Sequence, residues 1–415
     1  MRVLHLIAGS LSGGAARGAY WLHLAQRKLG VDSCLLTNEG KNIPDEGVYA
    51  LEKVPSRRIK LSLMGCLERA LIGAYRERSR IIFNLGLIGD DFTKHPAYRA
   101  ADIIHLHWVN GMVAVRALKK IKKPVVWTLR DMWPLTGGCH YAMGCVRYKE
   151  GCGFCPQLGS NKGWDISRFA AFNKKRSLPN QMEVVGISDW ISQTASDSFI
   201  FKGHRIHTIS NNIDTQKFSP VLPELARSVL NLPSDKKVIL VGAQILTDFY
   251  KGFHLFLESL DYLPRENLHV VSFGNDAGNA IDNLGVEHTR LGFLRDPISL
   301  RLAYSAANVF VAPSIEEAFG KTLAEAMSCG TPVVCFNAAG PKDIVVHQVN
   351  GFKAIPFDPK HLASGVQWVL NQSPDAYSKL RESARSHAVD NFDSRVIAMK
   401  YHDLYGQILS SRTKK

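Results

Sequence analysis

Apolar residues in this chain gather in short runs, and between the runs they recur three and four positions apart. The runs Val3–Ala8, Cys34–Thr37, Ile103–His107, Pro124–Leu129, Glu183–Ile187 and Arg205–Ile209 predict strands, and Ala15–Leu29 predicts a helix. The rhythm returns in the second half. Lys237–Val241, Leu268–Phe273, Val309–Ala312 and Pro332–Phe336 read as strands, Phe253–Leu260 and about Arg395–Ser410 as helices. Short apolar strands alternating with helices predict parallel sheets covered on both faces, an α/β fold. A break over Asn211–Pro220 divides the chain into two Rossmann-like halves. In such sheets ligands bind beyond the carboxyl ends of the strands, here expected in a cleft between the halves.

Length agrees, since 415 residues exceed one typical core and suit two domains. No apolar run approaches the ~18 residues that cross a bilayer. The Val3–Ala8 run is too short for a secretion signal and flows into a glycine loop, so a cytoplasmic protein is expected. The 51 basic and 37 acidic residues leave a net charge of +14, a balance that serves nucleic acid, anionic lipid or a diphosphate. No nucleic-acid-binding module is visible, so a nucleic-acid partner is not expected. The stretch 57–80 mixes leucines with seven Arg or Lys. It predicts either a basic helix resting on a membrane surface or a core-packed helix with a solvated basic face.

Cysteines add a local question. Cys139, Cys145, Cys152 and Cys155 fall within seventeen residues, beside His140 and among Gly138, Gly144, Gly151 and Gly153. In a reducing compartment this clustering points to a structural zinc, with reduced thiols or a disulfide pair as the alternatives. Cys34, Cys66, Cys329 and Cys335 are scattered in apolar contexts and read as buried thiols.

The densest chemistry lies in Glu317-Ala-Phe-Gly-Lys-Thr-Leu-Ala-Glu325, two carboxylates eight residues apart around a Phe-Gly turn and a helix start. Free amides at a helix start attract phosphate, and carboxylates accept sugar hydroxyls. Gly13-Gly14 directly after the first strand, and Lys251-Gly252 before a helix, are further phosphate candidates. His105 and His107 end one strand and Arg130-Asp131 the next, where ligand-binding loops emerge.

These motifs resemble the retaining glycosyltransferases of family 4, which have the GT-B fold. Gly13-Gly14-Ala-Ala-Arg17, Ser188-Asp-Trp, Asn211-Asn-Ile-Asp214, Lys251-Gly252, Leu291-Gly-Phe293, the acidic block and Gly340-Pro341 occur in family order over roughly residues 1 to 390. Trp127 to Leu158 looks more narrowly like the bacterial exopolysaccharide, colanic-acid-type enzymes. The resemblance implies two Rossmann-like domains facing across a cleft: an acceptor-side domain over 1–212 with the Cys-rich insertion near 139–155, and a donor domain over 213–390. A C-terminal helix over 391–415 would cross back to the first domain.

The resemblance also assigns roles. Glu317 would lie against the donor sugar and Lys251 against the diphosphate. The amides of Phe319, Gly320 and Lys321 would face sugar and phosphate, Glu325 the ribose diol, main chain near Leu294 the base, and Gly13 and Gly14 the distal phosphate. His107 and Asp131 would touch acceptor or sugar. The implied partners are a nucleotide-sugar donor, a saccharide or undecaprenyl-diphosphate-linked acceptor, and the inner-membrane surface. No metal is implied for the chemistry, and the sequence contains no Asp-x-Asp. Two departures stand out: Ala243 and Gln244 follow Gly242 where the family places an Arg, and Arg130 precedes Asp131 where the family often has His. Lys321, Arg17, Arg295 and Lys342 are candidates for the second phosphate cation. The rivals are another GT-B nucleotide-sugar enzyme, an epimerase or soluble-acceptor synthase, and a zinc-bearing nucleic-acid-binding protein.

Overall fold

The computed structural model describes residues 1–11, 13–39, 45–51, 55–79, 81–275 and 285–413. The chain forms two compact units, Met1–Ser210 with Ile397–Lys415, and Asn211–Val396.

The first unit holds seven parallel strands: β1 Arg2–Ile7, β2 Asp32–Thr37, β3 Val48–Ala50, β4 Ile103–Leu106, β5 Val125–Leu129, β6 Met182–Gly186 and β7 Ile206–Thr208, in the order β3-β2-β1-β4-β5-β6-β7. The second holds six: β8 Lys237–Ile245, β9 Leu268–Asn275, β10 Glu287–Arg290, β11 Val309–Ala312, β12 Val333–Phe336 and β13 Gly351–Ala354, in the order β10-β9-β8-β11-β12-β13. Each sheet winds outward in both directions from its first strand. The winding reverses between β1 and β4 in one unit and between β8 and β11 in the other. Those two switch points are where a doubly wound sheet opens a crevice for ligand.

The sequence pattern did not predict β3, β10 and β13, and all three are edge strands. Val-Tyr-Ala, Glu-His-Thr-Arg and Gly-Phe-Lys-Ala are short or polar because one side of each lacks a neighbour. A pattern tuned to continuous apolar runs passes over them.

The cores follow from the strands. In the second unit Ile239, Val241, Val309, Val311 and Val334 pack beneath Phe256 and Leu362, which come from the Phe253–Ser259 and Pro359–Leu370 helices. In the first unit Val3, Val126 and Val185 pack against Ile397, Ala398, Tyr401, Leu404 and Tyr405 of the Ser394–Thr413 helix. The last helix of the chain therefore completes the core of the first unit.

The basic helix runs over Pro55–Gly73, and among the described residues no helix is long and apolar enough to cross a membrane. Its end packs on the Cys-rich insertion, with Ile72 and Tyr75 meeting Cys155, Leu158 and Ala170. That insertion is a run of 3-10 turns, Trp133–Leu135, Arg147–Glu150 and Pro156–Leu158. Lys174, from the Ile166–Ser177 helix beneath it, donates to the carbonyls of Trp133 at 2.5 Å and Thr136 at 3.0 Å.

Candidate functional site

In the second unit the switch point is built on a contact that only glycine permits. Gly252 has φ of +66°, and a Cβ there would lie 1.9 Å from the carbonyl oxygen of Pro313. This close approach lets Ile315 N donate to Tyr250 O at 2.8 Å, and it locks the segment after β8 onto the segment after β11. Lys251 Nζ then meets Glu317 Oε1 at 2.9 Å, and Ser314 Oγ donates to the same oxygen at 2.5 Å. Both charged side chains are mostly buried. Burial alone would pull the Lys251 ammonium down, yet Glu317 and Tyr250 hold it above the ordinary lysine value. A permanent cation therefore sits at the strand ends. Glu316, the neighbouring acid, is buried and is not the partner of Lys251.

Glu317 lies in the loop ahead of the Lys321–Ser328 helix, whose N-cap is Gly320 at φ +108° with no capping side chain. Lys321 opens that helix. Phe319 is buried, its ring edge-on to Phe392 at 5.4 Å. Gly340 presses against Ala318 and Phe319, and its amide donates to Glu317 O at 2.8 Å. Glu325 is buried within the helix and accepts from Tyr304 Oη at 3.1 Å. The two acids of the motif thus have different neighbours: Glu317 faces the lysine, Glu325 the sheet-side tyrosine. Leu294 is half-buried in the loop after β10. Of the proposed second cations in this unit, Arg295 lies over the Phe293 ring at 5.8 Å, and Lys342 is in the short Pro341–Ile344 helix.

In the first unit, Gly13 caps the Gly14–Lys28 helix without a capping side chain, and a Cβ at Gly13 or Gly14 would meet nothing within 4 Å. Packing does not require these glycines, in contrast to Gly252. Arg17 lies one turn into this helix, over the ring of Trp21 at 5.9 Å.

Asp131 is held by three donors. Trp108 Nε1 and His140 Nδ1 both reach Oδ2 at 2.6 Å, and the amide of Trp133 reaches Oδ1 at 3.0 Å. His140 Nε2 faces Asn84 Oδ1 at 2.9 Å. His140, nine residues later in sequence, thus sets an imidazole against Asp131. Sequence reading passed over this pairing because it saw His140 only as a neighbour of the cysteines.

His107, expected to touch acceptor or sugar, is 1% exposed and lies in a buried hydrogen-bond chain. Arg130 Nη2, which can only donate, points to His107 Nδ1 at 3.3 Å, so the proton of a neutral His107 resides on Nε2. That proton goes to His5 Nδ1 at 2.9 Å, and His5 Nε2 donates to Gln26 Oε1 at 2.8 Å. Gln26 Nε2 donates to Tyr405 Oη at 3.1 Å, and the Tyr405 hydroxyl donates to His105 Nδ1 at 2.6 Å. His105 Nε2 then donates to Thr128 Oγ1 at 2.7 Å, whose hydroxyl meets Tyr401 Oη at 2.8 Å. Each link fixes the direction of the next.

Burial, reinforced by neighbouring cationic groups, holds His105 and His107 well below the ordinary histidine value and brings His5 to about 3. Burial also lowers Arg130, to about 10. His5, His105 and His107 are the one cluster among the described residues with three metal-type ligand atoms within 4.8 Å. Every accepting nitrogen in it already receives a hydrogen bond and a guanidinium adjoins it, so it reads as a polar core rather than a metal centre.

The four clustered cysteines line one small pocket, but among the described residues no three of their sulfurs lie within 4.8 Å of one another. Sulfurs sharing a tetrahedral zinc sit about 3.8 Å apart. Burial pushes the Cys139 and Cys155 thiols up, and Cys152 to about 12. The four cysteines are free thiols that share this pocket.

Comparison with known proteins matches residues 12–217 to the family described as Glycosyltransferase Family 4, and residues 224–387 to Glycosyl transferases group 1. A protein of Escherichia coli (strain K12) named for colanic acid biosynthesis, glycosyl transferase WcaC, is 27% identical over 379 residues, covering 86% of this chain and 87% of that one. Uncharacterized glycosyltransferase MJ1607 of Methanocaldococcus jannaschii is 30% identical over 301 residues, covering 69% and 68%. Among solved structures, sucrose-phosphate synthase from Thermosynechococcus elongatus superposes with a TM-score of 0.72 at 21% identity, covering 99% of this chain and 100% of that one. Anabaena Alr3699/HepE in complex with UDP-glucose gives 0.64 at 18% identity, covering all of both chains. These likenesses establish the fold as GT-B.

Proposed function

This chain belongs to the family 4 glycosyltransferases of the GT-B fold, and we propose that it is a retaining enzyme moving a hexose from a nucleotide-sugar to a lipid-linked saccharide. The reading places it at the cytoplasmic face of the inner membrane, in synthesis of an exopolysaccharide, capsule or O-antigen. The observation that carries it is the Lys251 ammonium held 2.9 Å from Glu317 at the β8/β11 switch point. The family match supports the activity, the name of the colanic acid relative supports the pathway, and a structural neighbour named with UDP-glucose supports the donor class.

In the proposed step the bond between the anomeric carbon and the diphosphate oxygen breaks, and the acceptor hydroxyl bonds to that carbon on the same face. Its proton passes to the departing phosphate. Lys251 stabilises the charge that develops on that phosphate, a task suited to a cation already in place before reaction. Glu317 exchanges part of its pairing with Lys251 for a sugar hydroxyl, and Glu325 accepts from the ribose. The amides of Gly13, Gly14, Phe319, Gly320 and Lys321 bind phosphate and sugar. No metal takes part in this scheme.

The test is thermal denaturation of wild type and Glu325→Gln with UDP, GDP, ADP, dTDP and CMP. One nucleotide should raise the wild-type midpoint and raise the variant's less. With the matching sugar donor, turnover should survive EDTA and NMR should show the donor's anomeric configuration in the product. A flat response to every nucleotide would overturn the reading.

A further inference from the structure

The Cys-rich insertion of the first unit closes around a small space that belongs to its sulfurs. Cys139, Cys145, Cys152 and Cys155 line it, and it measures about 10 Å³, room for one water-sized guest. The polar side chains in its wall are engaged already. Thr136 Oγ1 donates to Cys139 O and accepts from the Gly138 amide, Gln157 bonds Ala142 O and Ser79, and Ser167 bonds Asp165 and the Gly153 amide. Exposed Arg147 lies over the Phe154 ring. What the space offers a guest is mainly sulfur.

The backbone is bent to bring those sulfurs there. Cys152, Gly153 and Phe154 are left-handed in succession, at φ of +64°, +88° and +47°. A Cβ at Gly153 would lie 2.2 Å from Gly163 O. Such a turn persists only where its surroundings enforce it. Here Asp165 Oδ2 accepts from Cys155 N at 3.0 Å and Arg168 Nη1 donates to Cys152 O at 3.0 Å. Gly137 N donates to Cys152 Sγ at 3.2 Å, and an amide aimed at a sulfur favours its thiolate.

Lys174 points the same way from a different element. It is 1% exposed, and its ammonium donates to the carbonyls of Trp133 and Thr136, with no carboxylate paired to it among the described residues. A buried ammonium calls for an anion. Burial lowers its pKa, and Cys139 and Cys152 lead the groups that hold it up.

We infer that the insertion binds one zinc ion through Cys139, Cys145, Cys152 and Cys155. As each Zn–S bond forms, the thiol gives its proton to solvent. Four thiolates around a divalent cation leave negative charge, which the Lys174 ammonium offsets. A space this small admits a single ion and not an iron–sulfur cluster. The sulfurs, of which no three stand within 4.8 Å of one another among the described residues, draw in to about 3.8 Å on binding.

The ion takes no part in transfer; it anchors His140, which follows Cys139 directly. His140 N donates to Ile82 O at 3.2 Å and Asn84 N to Gly138 O at 2.9 Å. Fixing Cys139 therefore steadies the strip that sets His140 and Asn84 against Asp131. That consequence rests on the acceptor-side reading of Asp131, whereas the zinc site does not.

Elemental analysis of the full chain, purified under reducing conditions without chelator, should find about one zinc per chain. The metal-free, reduced chain titrated with Co²⁺ should develop the intense visible absorption of tetrahedral thiolate coordination, and Zn²⁺ should abolish it. Zinc should raise the melting midpoint of the metal-free chain and magnesium should not. Cys145→Ser, at the least buried of the four positions, should weaken zinc about tenfold or more against a competing chelator, while Cys66→Ser should leave it unchanged. The wild-type titrations decide even where a serine variant does not fold. A chain that holds no zinc and shows no thiolate absorption with Co²⁺ overturns the inference. So does zinc retained in full by both Cys145→Ser and Cys152→Ser, or iron or a disulfide in its place. Because metal content requires neither nucleotide nor turnover, failure here and failure of the proposed transfer are separate results.

Discussion

Lys251 Nζ and Glu317 Oε1 stand 2.9 Å apart although sixty-six residues separate them in sequence. The pair depends on the backbone contact of Gly252 with Pro313, and it sets a cation against a carboxylate where two strands end. Removing Lys251 takes away the proposed phosphate cation and leaves Glu317 beside only Ser314. Lys251→Ala should reduce kcat/KM for transfer by about 10² to 10³, the range for loss of one preorganised transition-state donor. Steady-state kinetics with the donor identified by thermal shift checks this. A loss under tenfold would move the phosphate cation elsewhere.

Two glycines should answer differently to alanine. Gly252→Ala forces a left-handed residue to carry a Cβ into a carbonyl oxygen, and should destabilise the protein by about 3 kcal/mol or more. Gly14→Ala adds a methyl group where nothing lies within 4 Å, and should shift the melting midpoint by no more than about 2 °C. It should nevertheless weaken binding of the stabilising nucleotide about tenfold, because the amides there are proposed to reach phosphate. Calorimetric melts and nucleotide titrations on both variants separate the structural glycine from the binding one.

His140→Phe should slow transfer about tenfold while leaving nucleotide binding unchanged. Asp131 keeps Trp108 and the Trp133 amide but loses the ring that orients it toward Asn84. Kinetics with varied acceptor at saturating donor should show the change in kcat or in the acceptor KM, and none in the donor KM.

Acid should unfold the N-terminal unit in a window set by its histidines. His5, His23, His105 and His107 are all lowered, first by burial and then by nearby cationic groups, His5 to about 3 and His23 to about 4. The unfolded chain binds protons on these rings from about pH 6.5 downward while the folded chain does not. Their stabilising contribution is thus full above about pH 6.5 and is lost as pH falls toward the folded values. Each ring held neutral removes up to about 1.4 kcal/mol per pH unit in that window. Denaturant midpoints at pH 7.5, 6, 5 and 4 should fall monotonically, and His5→Gln should flatten the slope.

Much of this was legible in the sequence, for physical reasons that differ by element. Buried parallel strands announce themselves as apolar runs, so β1, β4, β8 and β11 and their switch points were readable, and with them the positions of Gly13, Lys251 and Glu317. The edge strands β3, β10 and β13 were not: the first two bury little, and β13, though mostly buried, is only four residues long and interrupted by Lys353. Nor was the state of His107. A histidine at a strand end looks the same in sequence whether it opens onto ligand or is buried under Arg130, and only the fold brings His5, Gln26 and Tyr405 around it. The pairing of His140 with Asp131 was hidden because the cysteines beside His140 offered a competing explanation. The cysteines themselves share a pocket without converging, which spacing along the chain cannot reveal.

The chain of hydrogen bonds that ends at Tyr405 and Tyr401 also dictates an order of events during synthesis. His105 and Gln26 receive their shared partner, Tyr405, from 300 and 379 positions later in the chain. The unit spanning 211–396 has all of its own strands before the last helix leaves the ribosome. The N-terminal unit, though made first, must wait through about 200 further residues, roughly 10 to 40 s at usual elongation rates. In that interval its histidines and the apolar surface around Val3 and Val126 stand open to chaperones. The half of the protein that begins translation is the half that finishes folding last.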